Sequence, residues 1–331
     1  MMKKLIIQIP CYNEEEALPA TLAELPREMP GIELVEWLVI DDGSTDRTAE
    51  VAREHGVDHI VRFQRNRGLA AAFVAGLEAS VKAGADVVVN TDADNQYNAA
   101  DIPKLVAPIL AEEAEIVIGA RPIATTRHFS TFKKLMQRLG SGLTRSISKT
   151  QVQDAPSGFR AMSREAAMKL HVFNRYSYTV ETIIQAGQKG MAIISVPVST
   201  NEDVRPSRLV RSVWGYTWRQ VLTMARIFIT YNPFRFFAAL GLIVFLTGLL
   251  ISLRFVYFYV TVGGQGHVQS LILSALLMGM GFFLAIVGVI ADLISVNRML
   301  LEGLDWRLQK VEETLDNRDQ AVKTTSTTDK S

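Results

Sequence analysis

Leu5-Ile6-Ile7-Gln8-Ile9-Pro10-Cys11-Tyr12-Asn13-Glu14-Glu15 and, further on, Leu34-Val35-Glu36-Trp37-Leu38-Val39-Ile40-Asp41-Asp42-Gly43-Ser44-Thr45-Asp46 share one design. Each is a short apolar run that stops abruptly in a polar cluster. A run that is apolar at nearly every position and bounded by turn residues reads as a strand buried on both faces. Three further runs, His59–Phe63, Ala85–Asn90 and Glu115–Gly119, read the same way. Segments with helical spacing of apolar residues separate them: Glu15–Leu25, Thr45–His55, Leu69–Lys82 and Asp101–Ala111. Alternation of this kind predicts an α/β domain with a largely parallel sheet. In such sheets ligands bind beyond the carboxyl ends of the strands, which is where the polar clusters fall.

Composition sets the outer bounds. The chain has 331 residues, 35 Lys+Arg against 34 Asp+Glu, and one cysteine. Near-zero net charge argues against a nucleic-acid partner. A single cysteine, Cys11, excludes an internal disulfide framework and a CxxC metal site. The short run after Lys3 and Lys4 gives way to Asn13-Glu14-Glu15, so no secretory signal is expected. Yet 48% of residues are hydrophobic and the mean hydropathy is +0.16, high for a soluble enzyme. The excess is concentrated in Phe236–Tyr257 and Ser270–Ile290, inside a stretch from Val204 to Ala291 with no acidic residue. Each run is long enough to cross a hydrocarbon core of about 30 Å as a helix. Arg254, near the far end of the first, can snorkel to the headgroups.

The loop Thr261–Gln269 carries no Lys or Arg, whereas Arg219, Arg226 and Arg235 precede the first run and Arg298, Arg307 and Lys310 follow the second. The positive-inside rule therefore puts the N-terminal α/β domain and both termini in the cytoplasm. Leu209, Val213, Tyr216, Val221, Met224 and Ile227, punctuated by arginines, predict an amphipathic helix on the bilayer surface. The expected organisation is the α/β domain over 1–206, this juxtamembrane helix over 207–233, and a two-helix transmembrane hairpin over 234–296. A charged cytoplasmic helix over 297–316 and a polar, disordered tail over 317–331 complete it.

Four polar clusters lie at the ends of successive predicted strands. The first is Pro10 to Glu15. In the second, Gly43 supplies a turn and Ser44, Thr45 or Asp46 an N-cap. The third, Gln64-Arg65-Asn66-Arg67-Gly68-Leu69-Ala70-Ala71-Ala72, has small residues that let a ligand approach the backbone. The fourth, Thr91-Asp92-Ala93-Asp94-Asn95-Gln96, places two carboxylates at i and i+2, which point the same way in an extended segment. Asp92 and Asp94 can thus grip one ion, and oxygen ligands suit Mg²⁺ or Mn²⁺, which also takes diphosphate oxygens. Taken singly, each cluster reads as turn chemistry. There is no GxGxxG and no GxxxxGK[ST].

The ordered set resembles the family 2 glycosyltransferases over roughly residues 4–210. The resemblance implies a GT-A fold, a Rossmann-like α/β domain with a mostly parallel sheet. It implies donor binding by Pro10, Tyr12, Asn13 and Glu14. Asp42, Asn66, Gly68, Asp92 and Ala93 complete the expected nucleotide-sugar site, and Asp92, Asp94 and Gln96 the metal site. Gly119-Ala120-Arg121, Asp154-Ala155-Pro156-Ser157-Gly158-Phe159-Arg160 and Arg205-Pro206-Ser207-Arg208-Leu209 also match. This set, followed by two spans, is similar to the polyprenyl-phosphate glycosyltransferases, which include dolichyl-phosphate mannose and glucose synthases. The implied partners are a nucleotide-sugar donor, a polyprenyl or dolichyl phosphate acceptor, the lipid bilayer and a second copy of the chain. Two departures stand out. Arg205-Pro206-Ser207-Arg208 replaces the R-x-x-G-x-S-K common in the mannose synthases, which favours a UDP-sugar over GDP-mannose. Asn95-Gln96-Tyr97-Asn98 replaces the usual residues after the acidic pair.

A departing nucleotide diphosphate gains charge, which a divalent ion and a guanidinium stabilise. Asp94, Asp154 and Arg205 are the expected catalytic residues. Arg121, Arg127, Ser207 and Arg208 are expected at the acceptor phosphate, the first two within a stretch from Arg121 to Gln153 that holds seven Lys/Arg and no acid. Asp154 is either a general base or an orienting residue for the sugar or Arg160, because an acceptor phosphate is already anionic. Two other readings compete. A processive polysaccharide synthase needs many spans and usually a QxxRW motif, which is missing; a non-catalytic nucleotide-binding scaffold predicts a broken acidic pair.

Overall fold

The computed structural model describes residues 3–122, 150–170, 178–201, 232–263 and 268–328, with residues 142, 148, 172, 226 and 229 between them. Seven strands form one sheet: β1 Lys4–Cys11, β2 Leu34–Asp41, β3 His59–Arg62, β4 Val87–Asn90, β5 Ile116–Ala120, β6 Arg160–Ser163 and β7 Ile193–Pro197. Their order is β3-β2-β1-β4-β6-β5-β7. β6 runs antiparallel to both neighbours and every other pairing is parallel. The helices are α1 Leu18–Glu24, α2 Thr48–Glu54, α3 Leu69–Lys82, α4 Ile102–Leu110, α5 Arg164–Lys169 and α6 Tyr178–Gln188. A single 3₁₀ turn, Ala99–Asp101, leads into α4.

The alternation of β1 explains the layers. Leu5, Ile7, Ile9 and Cys11 turn to one face, where they meet Leu18 and Leu22 of α1, Val51 of α2 and Ile102, Leu105 and Val106 of α4. Ile6, with Leu38 and Ile40 of β2, faces Phe73 and Leu77 of α3, Ala166 of α5 and Ile183 of α6. Helices thus cover both faces of the sheet, and from Leu5 to Cys11 β1 is buried and apolar at every position except Gln8, whose amide donates to Asn90. Each such side chain contributes about 1.5–3 kcal/mol by burial. Leaving β1, the strand order proceeds to β2 on one side and to β4 on the other. That reversal opens a crevice beyond the carboxyl ends of β1 and β4.

Five predicted strands are present to within two residues at each end, and the Leu69–Lys82 helix matches its predicted bounds. β6 and β7 were not predicted. β6 reads Arg160-Ala161-Met162-Ser163 and β7 reads Ile193-Ile194-Ser195-Val196-Pro197. The first begins with a charge inside a motif and is only four residues long, so neither period nor length marks it.

A second unit comprises residues 214–308. Its α7, Pro233–Val262, starts with Pro at its first position and ends at Gly263, whose φ of 85° closes a left-handed cap onto the Tyr259 carbonyl at 3.2 Å. The last helix, α8, runs Val268–Thr328. Pro233–Thr261 and Val268–Asn297 are long and apolar enough to cross a membrane, extending the predicted runs at both ends. The two helices approach at glycines: a Cβ on Gly241 would stand 2.6 Å from the Gly281 carbonyl oxygen, and the reverse holds. Their outward side chains are exposed, Leu250 at 67% and Val260 at 77%. One expectation is corrected. The polar tail predicted from Asn317 on is helical to Thr328, because Asp319-Gln320-Ala321-Val322-Lys323 contains no glycine or proline and polarity alone does not oppose a helix. The juxtamembrane helix predicted over 207–233 lies almost wholly outside the described residues.

Candidate active site

The loops after β1 and β2 are laced into one unit. Asn13 takes a left-handed φ of 55°, and its side-chain oxygen accepts the Thr45 N–H at 2.9 Å and the Thr45 hydroxyl at 3.3 Å. In return the Asn13 N–H donates to the Ser44 hydroxyl at 3.0 Å and the Glu14 N–H to the Thr48 hydroxyl at 2.9 Å. The Glu15 carboxylate accepts the Arg47 N–H at 2.9 Å. Asp46, two residues before the start of α2, accepts the Thr48 N–H at 3.0 Å.

Asp41 and Asp42 shape the loops. Asp41 accepts the Ser44 N–H at 2.8 Å and pairs with Arg62 Nε at 3.0 Å. Asp42 accepts the Arg67 N–H at 2.7 Å on one oxygen and the Gly68 N–H at 2.9 Å on the other. Asp42 thereby fixes the entry to α3, where Gly68 holds a φ of 94°. Gly43, at φ +71°, is the turn predicted from sequence, and a Cβ there would collide with the Arg65–Asn66 backbone. Tyr12 and Asn66 are exposed beside these loops, whereas Pro10 and Ala93 are buried. The Ala93 carbonyl accepts the Thr21 hydroxyl of α1 at 2.8 Å.

The acidic pair follows β4. The extended geometry assumed for it is corrected: the chain turns over Ala93–Asn95, with Asn95 at a φ of 54°. The turn keeps the two charges close. Burial first, and then the Asp94 carboxylate, push the Asp92 carboxyl up to about 7, against the pull of Arg121 and Arg160. Among the described residues none donates a hydrogen bond to Asp92, and Asp94 accepts one, from the Gln96 N–H at 3.2 Å. The Gln96 carbonyl accepts the Asn201 N–H at 2.9 Å. Two neighbouring carboxylates with few hydrogen-bond donors, and oxygen the only ligand type, fit a hard divalent cation.

β6 supplies the rest. It pairs Arg160 with Asn90 of β4 and with Ile118 of β5. Because β6 is antiparallel, residues 154–159 before it lie beside the residues that follow β4 and β5. Two sequence motifs thus meet the acidic pair. A Cβ on Gly158 would stand 3.0 and 3.1 Å from the Asp92 oxygens, so glycine lets that carboxylate rest against backbone. Beneath it, the Asn90 amide donates to the Gly158 carbonyl at 2.9 Å and to the Tyr178 hydroxyl at 3.1 Å. The Gln8 amide donates to Asn90 at 2.9 Å, and the Gly158 N–H donates to the Tyr97 hydroxyl at 3.1 Å.

Two arginines flank the pair. Arg160 is 0% exposed. It donates to the Thr182 hydroxyl at 2.7 Å, the Thr179 carbonyl at 3.2 Å and the Ser157 carbonyl, and lies 5.3 Å over the Tyr178 ring. Arg121 grips Asp154 bidentately, Nε to one oxygen at 2.7 Å and Nη2 to the other at 3.1 Å. Asp154 is 1% exposed, and both its oxygens face the guanidinium. The pairing is one by which Asp154 can orient Arg121. Arg127, Arg205, Ser207 and Arg208 lie outside the described residues. Sequence reasoning missed Thr21, Asn90, Tyr97, Tyr178 and Asn201. Only Asn90, a polar residue closing an apolar run, carried a readable signal.

Residues 6–170 match the family model of glycosyl transferase family 2. An uncharacterized protein of Methanocaldococcus jannaschii is 32% identical over 233 residues, 68% of this chain and 93% of that protein. Polyprenol monophosphomannose synthase of Mycolicibacterium smegmatis is 26% identical, over 60% of this chain and 78% of its own length. UDP-N-acetylglucosamine–dolichyl-phosphate N-acetylglucosaminyltransferase of Methanococcus voltae is 29% identical over 60% and 87%. Among solved structures, glucosyl-3-phosphoglycerate synthase of Mycobacterium tuberculosis, in complex with Mn²⁺, UDP and glucosyl-3-phosphoglycerate, superposes with a TM-score of 0.53 at 24% identity, over 67% of this chain and 78% of that one. The mostly parallel sheet is that of a GT-A fold, and this chain belongs to glycosyl transferase family 2.

Proposed function

We propose that this enzyme transfers one sugar, with inversion, from a nucleotide-sugar to a membrane polyprenyl phosphate at the cytoplasmic face. The observation that carries the reading is the meeting of the Asp92–Asp94 pair with Arg121 at the ends of β4, β5 and β6, in a chain that also has two helices of membrane length. The relatives named for polyprenol and dolichyl phosphate support the acceptor class.

Asp92 and Asp94, with Gln96 beside them, would hold Mg²⁺ or Mn²⁺; water and donor oxygens would complete a shell that two carboxylates leave open. The bound ion supplies charge neutralisation for the departing diphosphate. The chain's own residues do the remaining work. The laced loops of Asn13 and Asp42 shape the donor site, and Gly68 admits the donor close to backbone. Arg121, aimed by Asp154, meets an anionic oxygen with a planar fork. The acceptor phosphate is already anionic, so attack on the anomeric carbon needs no proton removed, and Asp154 serves as a positioning residue. Arg205 lies four residues beyond Asn201, which is bonded to the acidic turn. Four residues of chain span at most about 14 Å, so Arg205 has the reach to serve a phosphate at this site, and Ser207, Arg208 and Arg127 remain its proposed partners there.

The relatives' names include both a mannose and an N-acetylglucosamine transferase, so the UDP-sugar preference rests on the Arg205–Arg208 motif alone. Purified protein offered a panel of UDP- and GDP-sugars with a polyprenyl phosphate should form a lipid-extractable sugar phosphate from one donor, and most strongly from a UDP-sugar. Product from GDP-mannose alone would reverse the donor assignment, and none from any donor would refute the reaction.

A further inference from the structure

The acidic turn is held from outside by a segment that the reaction above does not use. Beyond β7, the Val198 N–H donates to the Ala120 carbonyl at 3.0 Å, and the Ser199 N–H to the Asp101 carboxylate at 2.5 Å. Thr200 bridges Tyr97 in antiparallel fashion, and the Asn201 N–H reaches the Gln96 carbonyl at 2.9 Å. The Asn201 side-chain amide then donates to the Asn95 carbonyl at 3.1 Å and to one Glu24 oxygen at 3.1 Å, with the Asn95 side-chain oxygen a longer third acceptor at 3.5 Å. The other Glu24 oxygen accepts the Asn95 amide at 2.9 Å. Glu24, the last residue of α1, and Asn201, just past β7, therefore close on the one residue of the turn with positive φ. A non-glycine residue holds that conformation only with support. Asn95 separates Asp94 from Gln96, so its backbone angle sets where the second carboxylate points.

We propose that Asn201 and Glu24 are positioning residues for the Asp92–Asp94 pair, clamping Asn95 so that both carboxylates address one cation. This rests on the metal-binding reading above. The clamp also ties the chain's exit from the catalytic domain to the metal turn, since Arg205 follows within four residues.

Binding of Mn²⁺ to the full-length protein in detergent, followed by the spin resonance of free ion, tests this without turnover. The series is wild type, Asn201→Ala, Glu24→Gln, and each combined with Asn95→Gly, with thermal unfolding measured in chelator alongside. Loss of two hydrogen bonds in Asn201→Ala should weaken Mn²⁺ binding about tenfold, with a smaller loss in Glu24→Gln. The unfolding midpoint should move little. Glycine adopts the left-handed angle unaided, so Asn95→Gly should recover most of the affinity in the Asn201→Ala background. Wild-type affinity in Asn201→Ala overturns the positioning role while leaving the metal reading intact. So does a loss that follows a falling unfolding midpoint and resists Asn95→Gly. A wild-type chain that binds no Mn²⁺ overturns both.

Discussion

In the loop after β2, Asp41 accepts the Ser44 N–H and pairs with Arg62, Asp42 accepts the Arg67 and Gly68 N–H groups, and Asp46 accepts the Thr48 N–H. In the turn after β4, no described residue donates to Asp92, and Asp94 accepts only the Gln96 N–H. The two segments look alike as sequence: Asp41-Asp42-Gly43-Ser44-Thr45-Asp46 and Thr91-Asp92-Ala93-Asp94-Asn95-Gln96 are both acid-rich and both follow an apolar strand. Their partners separate them. Acids that accept backbone N–H groups are satisfied and give a loop its shape. Acids left facing each other carry an electrostatic deficit that a cation removes. The first loop is held in shape by its acids, and the second is the one proposed above to bind a cation.

The contrast fails or sharpens most visibly at the acidic pair. Asp92→Asn or Asp94→Asn should reduce sugar transfer by about 10²–10³-fold or more, measured as initial rate at saturating donor. The same Asp92→Asn change should leave the metal-free protein as stable as wild type or more so. The sign follows from the carboxyl's position near 7 against an ordinary 3.8. The folded state retains a proton that the unfolded chain has released, so stability without metal falls as pH rises from about 4 to 7 and is flat above. Thermal unfolding in chelator across that range should show the slope in wild type and not in Asp92→Asn.

Arg121→Ala should behave oppositely in stability. It takes the bidentate guanidinium away from the buried Asp154 carboxylate, at a cost of about 3–5 kcal/mol, and activity falls with it. Arg121→Lys keeps the charge but not the fork, so it should recover stability better than rate. The smallest effect belongs to Asp42→Ala. Two backbone N–H groups lose their acceptor, at about 1–3 kcal/mol, and the donor KM should rise about tenfold with kcat largely retained, since the loop shapes the donor site without touching the reacting atoms. A larger kcat loss there than at Asp92 would erase the distinction between the loops.

What could be read beforehand followed the same physics. Strands buried on both faces, such as Leu5-Ile6-Ile7, announce themselves by composition, and so do helices with a clear apolar face, such as Leu69–Lys82. β6 escaped because Arg160 opens it and only tertiary pairing makes four residues a strand. That omission hid the adjacency of Gly158 and Asp92, and of Arg121 and Asp154, which no spacing along the chain reveals. The role of Asp154 stayed open for the same reason, since its partner lies 33 residues away. The acidic pair was legible as residues but not as geometry: its approach comes from a turn with Asn95 at positive φ, not from strand alternation. Residues 317–328 were misjudged because polarity was read as disorder although nothing in the segment breaks a helix.

The most direct test of the contrast is Mn²⁺ binding by wild type, Asp92→Asn and Asp42→Asn, each at pH 6 and pH 8. Protons compete for a carboxyl that titrates near 7, so wild-type affinity should be about tenfold tighter at pH 8 than at pH 6. Asp92→Asn should lose the ion at both values, and Asp42→Asn should bind it as wild type does. Loss of the ion in Asp42→Asn, or its retention in Asp92→Asn, would contradict the account.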